Sequence, residues 1–265
     1  MSELRTSANQ PIVAVSNLEV AFVSRDSTVN AVNGVNFTLQ PGEVLCILGE
    51  SGSGKSVTLR ALMRLLPRQA QTSGSVTVGN KDVLNLTERE LADIRGSEIA
   101  MIFQEPAVSF DPIYTVGRQI TESIRRHEKV SAAEAQQRAL DLFERVQIPS
   151  PERRLRAFSH ELSGGMRQRA MIALALACQP SVLLADEPTT ALDATVQIQI
   201  LLLLRELQRE LGMAVIFVTH DVGVAIEIAD RIAVMYAGRF VETGPARQII
   251  RNPQHPYTKG LLSST

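Results

Sequence analysis

The sequence predicts an α/β fold with a mostly parallel β-sheet and flanking helices. Three segments are apolar almost throughout and do not alternate, which is typical of strands that helices cover on both faces. They span residues 181–186, 213–219 and 231–236. A helix-length stretch rich in Leu and Ile, residues 194–211, separates the first two. Strands that alternate with helices in this order favour a parallel sheet.

The N-terminal region is strand-rich. Strand-like patterns run over residues 12–22, 35–39 and 44–48, interrupted by the polar stretch 24–30 and by the turn Gln40-Pro41-Gly42. A further β-like segment follows at 75–79. Branched and aromatic runs bounded by turn residues predict strands here rather than helices.

Two helix starts carry capping-box spacing, Thr87 with Glu90 and Ser131 with Glu134. In such a box the first side chain and the later Glu satisfy backbone N–H groups that have no partner inside the helix. The second box opens an amphipathic helix whose apolar face is formed by Ala135, Ala139, Leu142, Phe143 and Val146.

Composition excludes several classes of protein. The 265 residues are 45% apolar and carry 27 basic against 28 acidic side chains, so no overall charge draws the protein to nucleic acid. The longest apolar run, residues 170–178, is far shorter than the roughly 20 residues of a membrane helix, and the polar N-terminus has no apolar signal segment. We therefore expect a peripheral role at any membrane.

Cys46 and Cys178 lie in apolar stretches, which indicates buried thiols in a reducing compartment.

A glycine-rich motif follows the apolar strand at 44–48 and precedes a helix-like segment. Small residues let the backbone wrap closely around a phosphate, and the helix N-terminus adds positive charge. Lys55 is predicted to reach the β- and γ-phosphates and the Ser56 hydroxyl to bind Mg²⁺. The predicted phosphate-binding residues are Gly49, Glu50, Ser51, Gly52, Ser53, Gly54, Lys55, Ser56 and Val57.

The strand at 181–186 ends in Asp186, and Glu187 follows directly. Asp186 is placed to hold Mg²⁺, and Glu187 is placed to orient and deprotonate the attacking water. An adjacent acidic pair on its own would read as a solvated strand end, but a phosphate loop earlier in the chain favours the catalytic interpretation. His220 directly follows the strand at 213–219, where ligands bind in open parallel sheets, and we expect it to contact the γ-phosphate. The alternative for His220 is a structural role.

With these motifs in place, the segment Leu162-Ser163-Gly164-Gly165-Met166 makes the chain resemble the nucleotide-binding subunit of an ATP-binding-cassette (ABC) transporter. The resemblance covers residues 12–262 and keeps the family's motif order. It implies a P-loop ATPase core formed by 12–105 and 160–262, with an N-terminal antiparallel β subdomain. Residues 106–159 would form an inserted helical subdomain.

The resemblance also implies a mechanism that needs two subunits, stacked head to tail around two ATP molecules. Ser163, Gly164 and Gly165 would approach the γ-phosphate held by the other subunit, and Asp193 would cross the interface. Gln104 would contact Mg²⁺ or the water and report to a membrane partner. Without the other motifs, residues 162–165 would read only as a loop that enters a helix.

An aromatic residue upstream of the phosphate loop stacks on adenine in this family, and Phe22 is the positional match. The alternative is a core phenylalanine. Arginines cluster in the implied helical subdomain, where they could meet lipid headgroups or acidic partner residues, although a solvated face is favoured. They are Arg125, Arg126, Arg153, Arg154 and Arg156.

The tail, residues 252–262, resembles the peptide/nickel import subfamily, as do residues 24–30, 158–169 and 186–197. Residues 107–112 differ from the subfamily's usual sequence, and Met166 stands at the fifth position of the 162–166 motif, where Gln is more common. Members of that subfamily often continue past this tail, so a shortened chain or half of a tandem protein is one expectation.

The resemblance therefore implies the ATPase subunit of an importer for di- or oligopeptides, nickel or glutathione, bound to the cytoplasmic face of the inner membrane. ATP and Mg²⁺ would be its cofactors. Its implied partners are two transmembrane permease subunits, a second ATPase subunit, identical or paralogous, and an extracytoplasmic solute-binding protein, with no nucleic acid. The alternative is a non-transport ABC ATPase that acts on DNA or ribosomes. Glu187 disfavours a binding module without turnover.

Overall fold

The computed structural model describes residues 10–24, 26–106, 109–190 and 192–263. The expectation for the N-terminal segment thus falls mostly outside the described residues, and the subfamily departure at 107–112 does so in part. The strands are β1 (Val13–Val23), β2 (Thr28–Leu39), β3 (Val44–Leu48), β4 (Ala70–Val78), β5 (Lys81–Asp82), β6 (Ile99–Ile102), β7 (Val182–Asp186), β8 (Ala214–Thr219), β9 (Arg231–Tyr236) and β10 (Arg239–Pro245).

The α-helices are α1 (Lys55–Leu62), α2 (Glu88–Ile94), α3 (Val116–His127), α4 (Ala132–Arg145), α5 (Pro151–Leu155), α6 (Gly164–Leu176), α7 (Ala194–Leu211), α8 (Val222–Ile228), α9 (Ala246–Arg251) and α10 (Pro256–Ser263). Short 3₁₀ turns occupy Val83–Asn85 and Ser159–Glu161. No helix in the described part of the chain is long and apolar enough to cross a bilayer.

The chain folds as two compact units, Met1–Leu91 with Gly212–Thr265, and Ala92–Leu211. In the first unit, β2, β1, β4 and β5 form an antiparallel sheet in that order. In the same unit β3 pairs in parallel with both β8 and β9, and β10 pairs antiparallel with β9. Every residue of β3 and β8 is buried, as their unbroken apolar sequences predict.

The second unit contains the parallel pair β6 and β7, again buried at every residue. Helices α3, α4 and α5 pack on one another in this unit, with α4 burying Ala135, Ala139 and Phe143 as predicted. Helix α6 is buried at nearly every residue from Gln168 to Leu176, as its uninterrupted run of small and aliphatic residues from Ala170 onward predicts.

The predicted helix starts are confirmed, with one difference. Thr87 and Glu90 bond reciprocally, since Glu90 N donates to Thr87 Oγ1 and Thr87 N to Glu90 Oε2. Ser131 Oγ accepts from Glu134 N at 3.1 Å, but the Glu134 carboxylate pairs instead with Arg138 at 3.0 Å. An i,i+4 arginine therefore competes for the second half of that box.

Two strand predictions were too short. β2 begins at Thr28 rather than Val35, and β4 at Ala70 rather than Ser75. The added residues are largely exposed and polar, so they lack the apolar alternation that marks a strand, and their pairing with β1 holds them extended. The thiol prediction was also half wrong, because Cys46 is buried but Cys178 only partly so.

Candidate functional site

The glycine-rich loop lies in the first unit, between β3 and α1. A Cβ atom on Gly49 would come within 2.4 Å of the Met235 carbonyl oxygen, and one on Gly54 within 2.4 Å of the Ala31 oxygen. Gly54 also has φ +105°, a conformation that favours glycine. Neighbouring backbone therefore requires glycine at both ends of the loop.

Lys55 is buried, and its ammonium group lies inside the curve of this loop. Nζ donates to the Gly49 oxygen at 2.8 Å and to the Glu50 oxygen at 2.9 Å. The Glu50 oxygen also accepts from Ser53 N at 3.3 Å. A buried cation next to a helix N-terminus is suited to bind the negative charge of a phosphate.

The remaining predicted phosphate-binding residues follow the same turn. Ser51 and Gly52 are exposed, and a Cβ on Gly52 would meet nothing within 4 Å, although its φ of +81° still favours glycine. Ser53 is buried, whereas Ser56 and Val57 in the first turn of α1 are half-buried. The loop is thus open on its outer side and closed on the side of β3.

Two contacts that sequence reasoning missed support the loop from elsewhere in the first unit. Gly238 N, in the turn between β9 and β10, donates to the Ser53 oxygen at 2.9 Å, while the Gly238 oxygen accepts from Asn33 N at 2.8 Å. Tyr257 Oη on α10 accepts from Glu50 N at 3.2 Å. Tyr257 lies in the tail motif, which was a signal for a subfamily but not for this contact.

His220 and the loop leave the sheet at the same edge. Leu48 and Thr219 are paired residues of the parallel strands β3 and β8, and Gly49 and His220 come directly after them. Gly49 N donates to the Thr219 oxygen at 3.4 Å. His220 is exposed. The carboxyl-end position expected for this histidine is therefore the one observed.

Phe22 lies near the end of β1, paired with Val29 on one side and Ala70 on the other. Its side chain is half-buried. A half-buried aromatic side chain is compatible with stacking on a base, and it differs from a fully buried core phenylalanine.

The acidic pair lies in the second unit at the end of β7. Asp186 is fully buried, and Glu187 follows with φ +46°, a left-handed conformation that costs a non-glycine residue on the order of 1 kcal/mol. Glu187 Oε2 accepts from Thr190 Oγ1 at 2.9 Å and from Gln104 Nε2 at 3.4 Å. These contacts fix the orientation of the carboxylate. Sequence reasoning missed Thr190.

Gln104 reaches Glu187 because their strands are neighbours. Ile102 on β6 pairs with Ala185 on β7, and Gln104 and Glu187 each come two residues after that pair. The structure thus brings together two residues 83 positions apart that the sequence assigned separately.

Residues 162–166 form the start of α6. Ser163 Oγ accepts from Met166 N at 3.3 Å and so caps the helix. Arg167 holds the backbone that leads into the helix. Its Nε donates to the Ser159 oxygen at 2.9 Å, and its Nη2 donates to the Leu162 oxygen at 3.1 Å. A Cβ on Gly164 would meet nothing within 4 Å, so this exposed helix start is open to an approaching group.

Gly165 and Asp193 have local structural roles in the same unit. A Cβ on Gly165 would lie 3.1 Å from Val196 Cγ1. Asp193 Oδ1 accepts from Val196 N at 3.0 Å, which caps the start of α7 while the side chain stays exposed. The arginine cluster divides between α3 and α5 with Arg156 just after it, and Arg125 and Arg156 line a cavity of about 620 Å³.

Comparison with known proteins identifies two family profiles in the chain. The ABC transporter profile matches residues 32–190, which include the glycine-rich loop, Gln104, the start of α6 and Glu187. A profile for the C-terminal region of oligopeptide/dipeptide transporters matches residues 241–265, which include Tyr257.

Similar proteins agree with both profiles. The chain is 51% identical to the oligopeptide transport ATP-binding protein OppD of Bacillus subtilis (strain 168), over 96% of this chain and 71% of OppD. It is 52% identical to the glutathione import ATP-binding protein GsiA of Shigella flexneri, over 96% of this chain but 42% of GsiA. The ATP-binding cassette MJ0796, solved as a dimer in a post-hydrolysis state with ADP and Pi, superposes with a TM-score of 0.80 at 31% identity, covering 89% of this chain and 99% of that one.

Proposed function

The chain belongs to the ABC transporter ATP-binding family, and from that premise we propose how its residues hydrolyse ATP to drive import. It is the ATPase subunit of an ABC importer and has the α/β P-loop fold of that family. A role on DNA or ribosomes is not favoured by the import proteins that it resembles.

In this proposal the loop from Gly49 to Val57 binds the phosphates of ATP. Its support is the buried ammonium of Lys55, which faces the loop's interior, together with backbone N–H groups at the start of α1. Phe22, whose side chain is half-buried, would stack on adenine. His220, at the same edge as the loop, would contact the γ-phosphate.

Mg²⁺ belongs to the proposal through the chemistry of its donors. The Ser56 hydroxyl, the Asp186 carboxylate and the Gln104 amide offer the hard oxygen atoms that Mg²⁺ prefers, so the donor set fits the ion. When bound, the ion would neutralise charge on the β- and γ-phosphates. Asp186 comes at the end of a buried strand and is itself fully buried.

We propose Glu187 as the general base for the attacking water. The observation that carries this assignment is the pair of donors, Thr190 and Gln104, on one carboxylate oxygen of a residue with a left-handed backbone. A carboxylate held in one direction can accept a proton from a water placed in line with the γ-phosphate. Thr190 and Gln104 act as positioning residues.

Ser163, Gly164 and Gly165 would meet ATP bound by a second ATPase subunit, identical or paralogous, with Asp193 at that interface. The support is the open, capped helix start at Gly164 and the dimeric state of the similar cassette MJ0796. Residues 106–159 would act as a helical subdomain inserted between 12–105 and 160–262. They would receive the transmembrane permease subunits at the cytoplasmic face of the membrane.

We further propose that the solute is a di- or oligopeptide or a related small solute such as glutathione or nickel, delivered by an extracytoplasmic binding protein. The support is the tail profile over residues 241–265 and the similarity to OppD and GsiA. Solute choice would then depend on the partner subunits.

Affinity capture of the tagged chain from detergent-solubilised membranes tests this proposal, followed by uptake into proteoliposomes that contain the recovered complex. We expect the capture to recover two permease proteins. We expect the proteoliposomes to take up labelled dipeptides or oligopeptides in an ATP-dependent way, and uptake of nickel and of glutathione is measured in parallel. Glu187→Gln should abolish uptake, and Glu206→Gln, which alters an exposed carboxylate on α7, should not. Recovery of nucleic acid or ribosomes without a membrane partner would overturn the proposal.

A further inference from the structure

One peptide group at the start of the phosphate loop is held from two opposite sides. It joins Gly49 to Glu50. Its carbonyl oxygen, on Gly49, accepts from Lys55 Nζ at 2.8 Å, and its N–H, on Glu50, donates to Tyr257 Oη at 3.2 Å. Because a trans peptide is planar, its C=O and N–H point in opposite directions. The lysine and the tyrosine therefore fix the orientation of the same rigid plane.

Tyr257 is itself fixed by the tail. Its ring packs on Tyr236, with centroids 4.5 Å apart and planes at 44°. Its backbone N donates to His255 Nδ1 at 3.1 Å, and His255 N donates to Glu242 Oε2 at 3.0 Å. The Glu242 carboxylate also accepts from Gln254 N at 2.8 Å. The tyrosine hydroxyl thus occupies a position that β10 and α10 determine, independently of the loop.

We propose that Tyr257 is a positioning residue for Lys55, because its hydroxyl holds the Gly49–Glu50 peptide in the orientation that anchors the lysine ammonium. The proposal deepens the proposed ATP-binding role of this loop and rests on it. It gives the tail segment matched by the peptide-transporter profile a task at the phosphate site, 207 positions away in sequence.

The chemistry of the hydroxyl suits this task. Burial is the main cause that raises the pKa of Tyr257 above its ordinary value. The group therefore stays neutral at physiological pH, and it accepts the Glu50 N–H without adding negative charge beside the phosphates. A carboxylate in the same place would repel them.

Removal of the hydroxyl frees the peptide plane to rotate, so the Gly49 oxygen can turn away from the lysine. Lys55 keeps its second acceptor, the Glu50 oxygen at 2.9 Å, so the loss is partial. One hydrogen bond of typical net strength corresponds to about a three- to tenfold change in an equilibrium constant. We expect a weakening of ATP binding of that size.

The test compares Tyr257→Phe with Tyr236→Phe in the full chain. Each variant removes one hydroxyl from the same ring pair, but Tyr236 is half-exposed and its hydroxyl makes no hydrogen bond in the described part of the structure. Calorimetric titration with ATP should give a dissociation constant about three- to tenfold higher for Tyr257→Phe and unchanged for Tyr236→Phe. The melting temperature of Tyr257→Phe should fall by only about 2–4 °C, the effect of losing one hydrogen bond, so the chain stays folded under the conditions of the titration. An unchanged dissociation constant for Tyr257→Phe overturns the inference.

A double-mutant cycle separates positioning of the lysine from a general effect on the fold. In a Lys55→Met background, Tyr257→Phe should weaken ATP binding no further, as measured by ligand-observed NMR at millimolar nucleotide. An equal loss in both backgrounds would show that the hydroxyl does not act through Lys55.

If Tyr257→Phe is unstable, Glu242→Gln replaces it, since it loosens the tail without touching the loop, and the same Lys55-dependent loss is expected.

Different results would contradict the proposed ATP-binding function and the positioning role of Tyr257. A wild-type chain that does not bind ATP contradicts the proposed function itself. A wild-type chain that binds ATP, with Tyr257→Phe equal to it, contradicts only the role of the tyrosine.

Discussion

Gln104 Nε2 lies 3.4 Å from Glu187 Oε2, and the Thr190 hydroxyl donates to the same oxygen at 2.9 Å. The two donors come from different segments, one after β6 and one after β7. Together they restrict the direction in which the carboxylate faces. Changes at either donor should therefore alter the rate of hydrolysis more than the stability of the fold.

Glu187→Gln should lower kcat for ATP hydrolysis by about 100-fold or more, because an amide cannot accept the proton of the attacking water. ATP binding should persist, since the phosphate contacts assigned to Lys55 are intact. Phosphate release by the assembled transporter measures the first effect, and calorimetric titration measures the second. Glu206→Gln on the exposed side of α7 is the matched control. Wild-type turnover in Glu187→Gln would remove this residue from the mechanism.

Thr190→Val should lower kcat about three- to tenfold while KM for ATP stays near the wild-type value, because it removes one hydrogen bond that orients the base. Steady-state kinetics on the assembled transporter read the two constants separately. Thr72→Val makes the same chemical change at an exposed position of β4 and should behave as the wild type. A rise in KM with constant kcat would show that Thr190 supports binding instead.

Lys55→Met should weaken ATP binding by more than about tenfold and abolish ATP-driven uptake, because it removes the buried ammonium but keeps most of the side-chain volume. Equilibrium binding of a fluorescent ATP analogue provides the measurement. Lys129→Met removes an exposed lysine and should bind normally. Retained uptake in Lys55→Met would mean that the phosphate loop is wrongly assigned.

Gly164→Ala separates a role between subunits from a role in the fold. The added methyl group meets no atom within 4 Å, so melting temperature and ATP affinity of the isolated chain should not change. Hydrolysis by the assembled transporter should fall about 10- to 100-fold, because the methyl group would displace the γ-phosphate of the other subunit's ATP. Gly260→Ala, equally uncrowded on α10, is the control. Full activity in Gly164→Ala would contradict the proposed contact in trans.

The two thiols should differ in reactivity. Burial raises the pKa of both Cys46 and Cys178, but Cys46 is fully buried whereas Cys178 is only partly buried. An aromatic disulfide reagent should therefore label only Cys178 in the native protein. The rate should increase with pH, because the thiolate is the reactive form and its raised pKa lies above neutrality. Intact mass spectrometry counts the labels, and Cys178→Ser should remain unlabelled until it is unfolded. Two labels on the native chain would contradict the burial of Cys46.

The buried parallel strands were predictable because a strand that is buried on both faces has an almost continuously apolar sequence. β9 and α7 match their predicted spans, and β7 and β8 differ by one residue at one end. The N-terminal halves of β2 and β4 were not predictable, since exposed polar residues such as Asn30 and Thr72 are held extended only by pairing with β1.

Site residues divided in the same way. The glycine-rich loop and Glu187, which we propose bind and hydrolyse ATP, lie in contiguous sequence motifs, so the sequence alone pointed to them. Thr190, Gly238 and Tyr257 act through contacts that depend on the folded chain. Tyr257 was visible as part of a tail motif, but its partner Glu50 is 207 positions away, and no local pattern encodes that distance.

The hydrogen bond from Glu50 to Tyr257 matters for protein engineering. A chimaera that joins this ATPase core to the tail of another cassette would replace Tyr257. It would thereby also replace the hydroxyl that accepts a hydrogen bond from the glycine-rich loop. Tail swaps intended to retarget the subunit to new partners should therefore retain Glu242, His255 and Tyr257 as one transferable block.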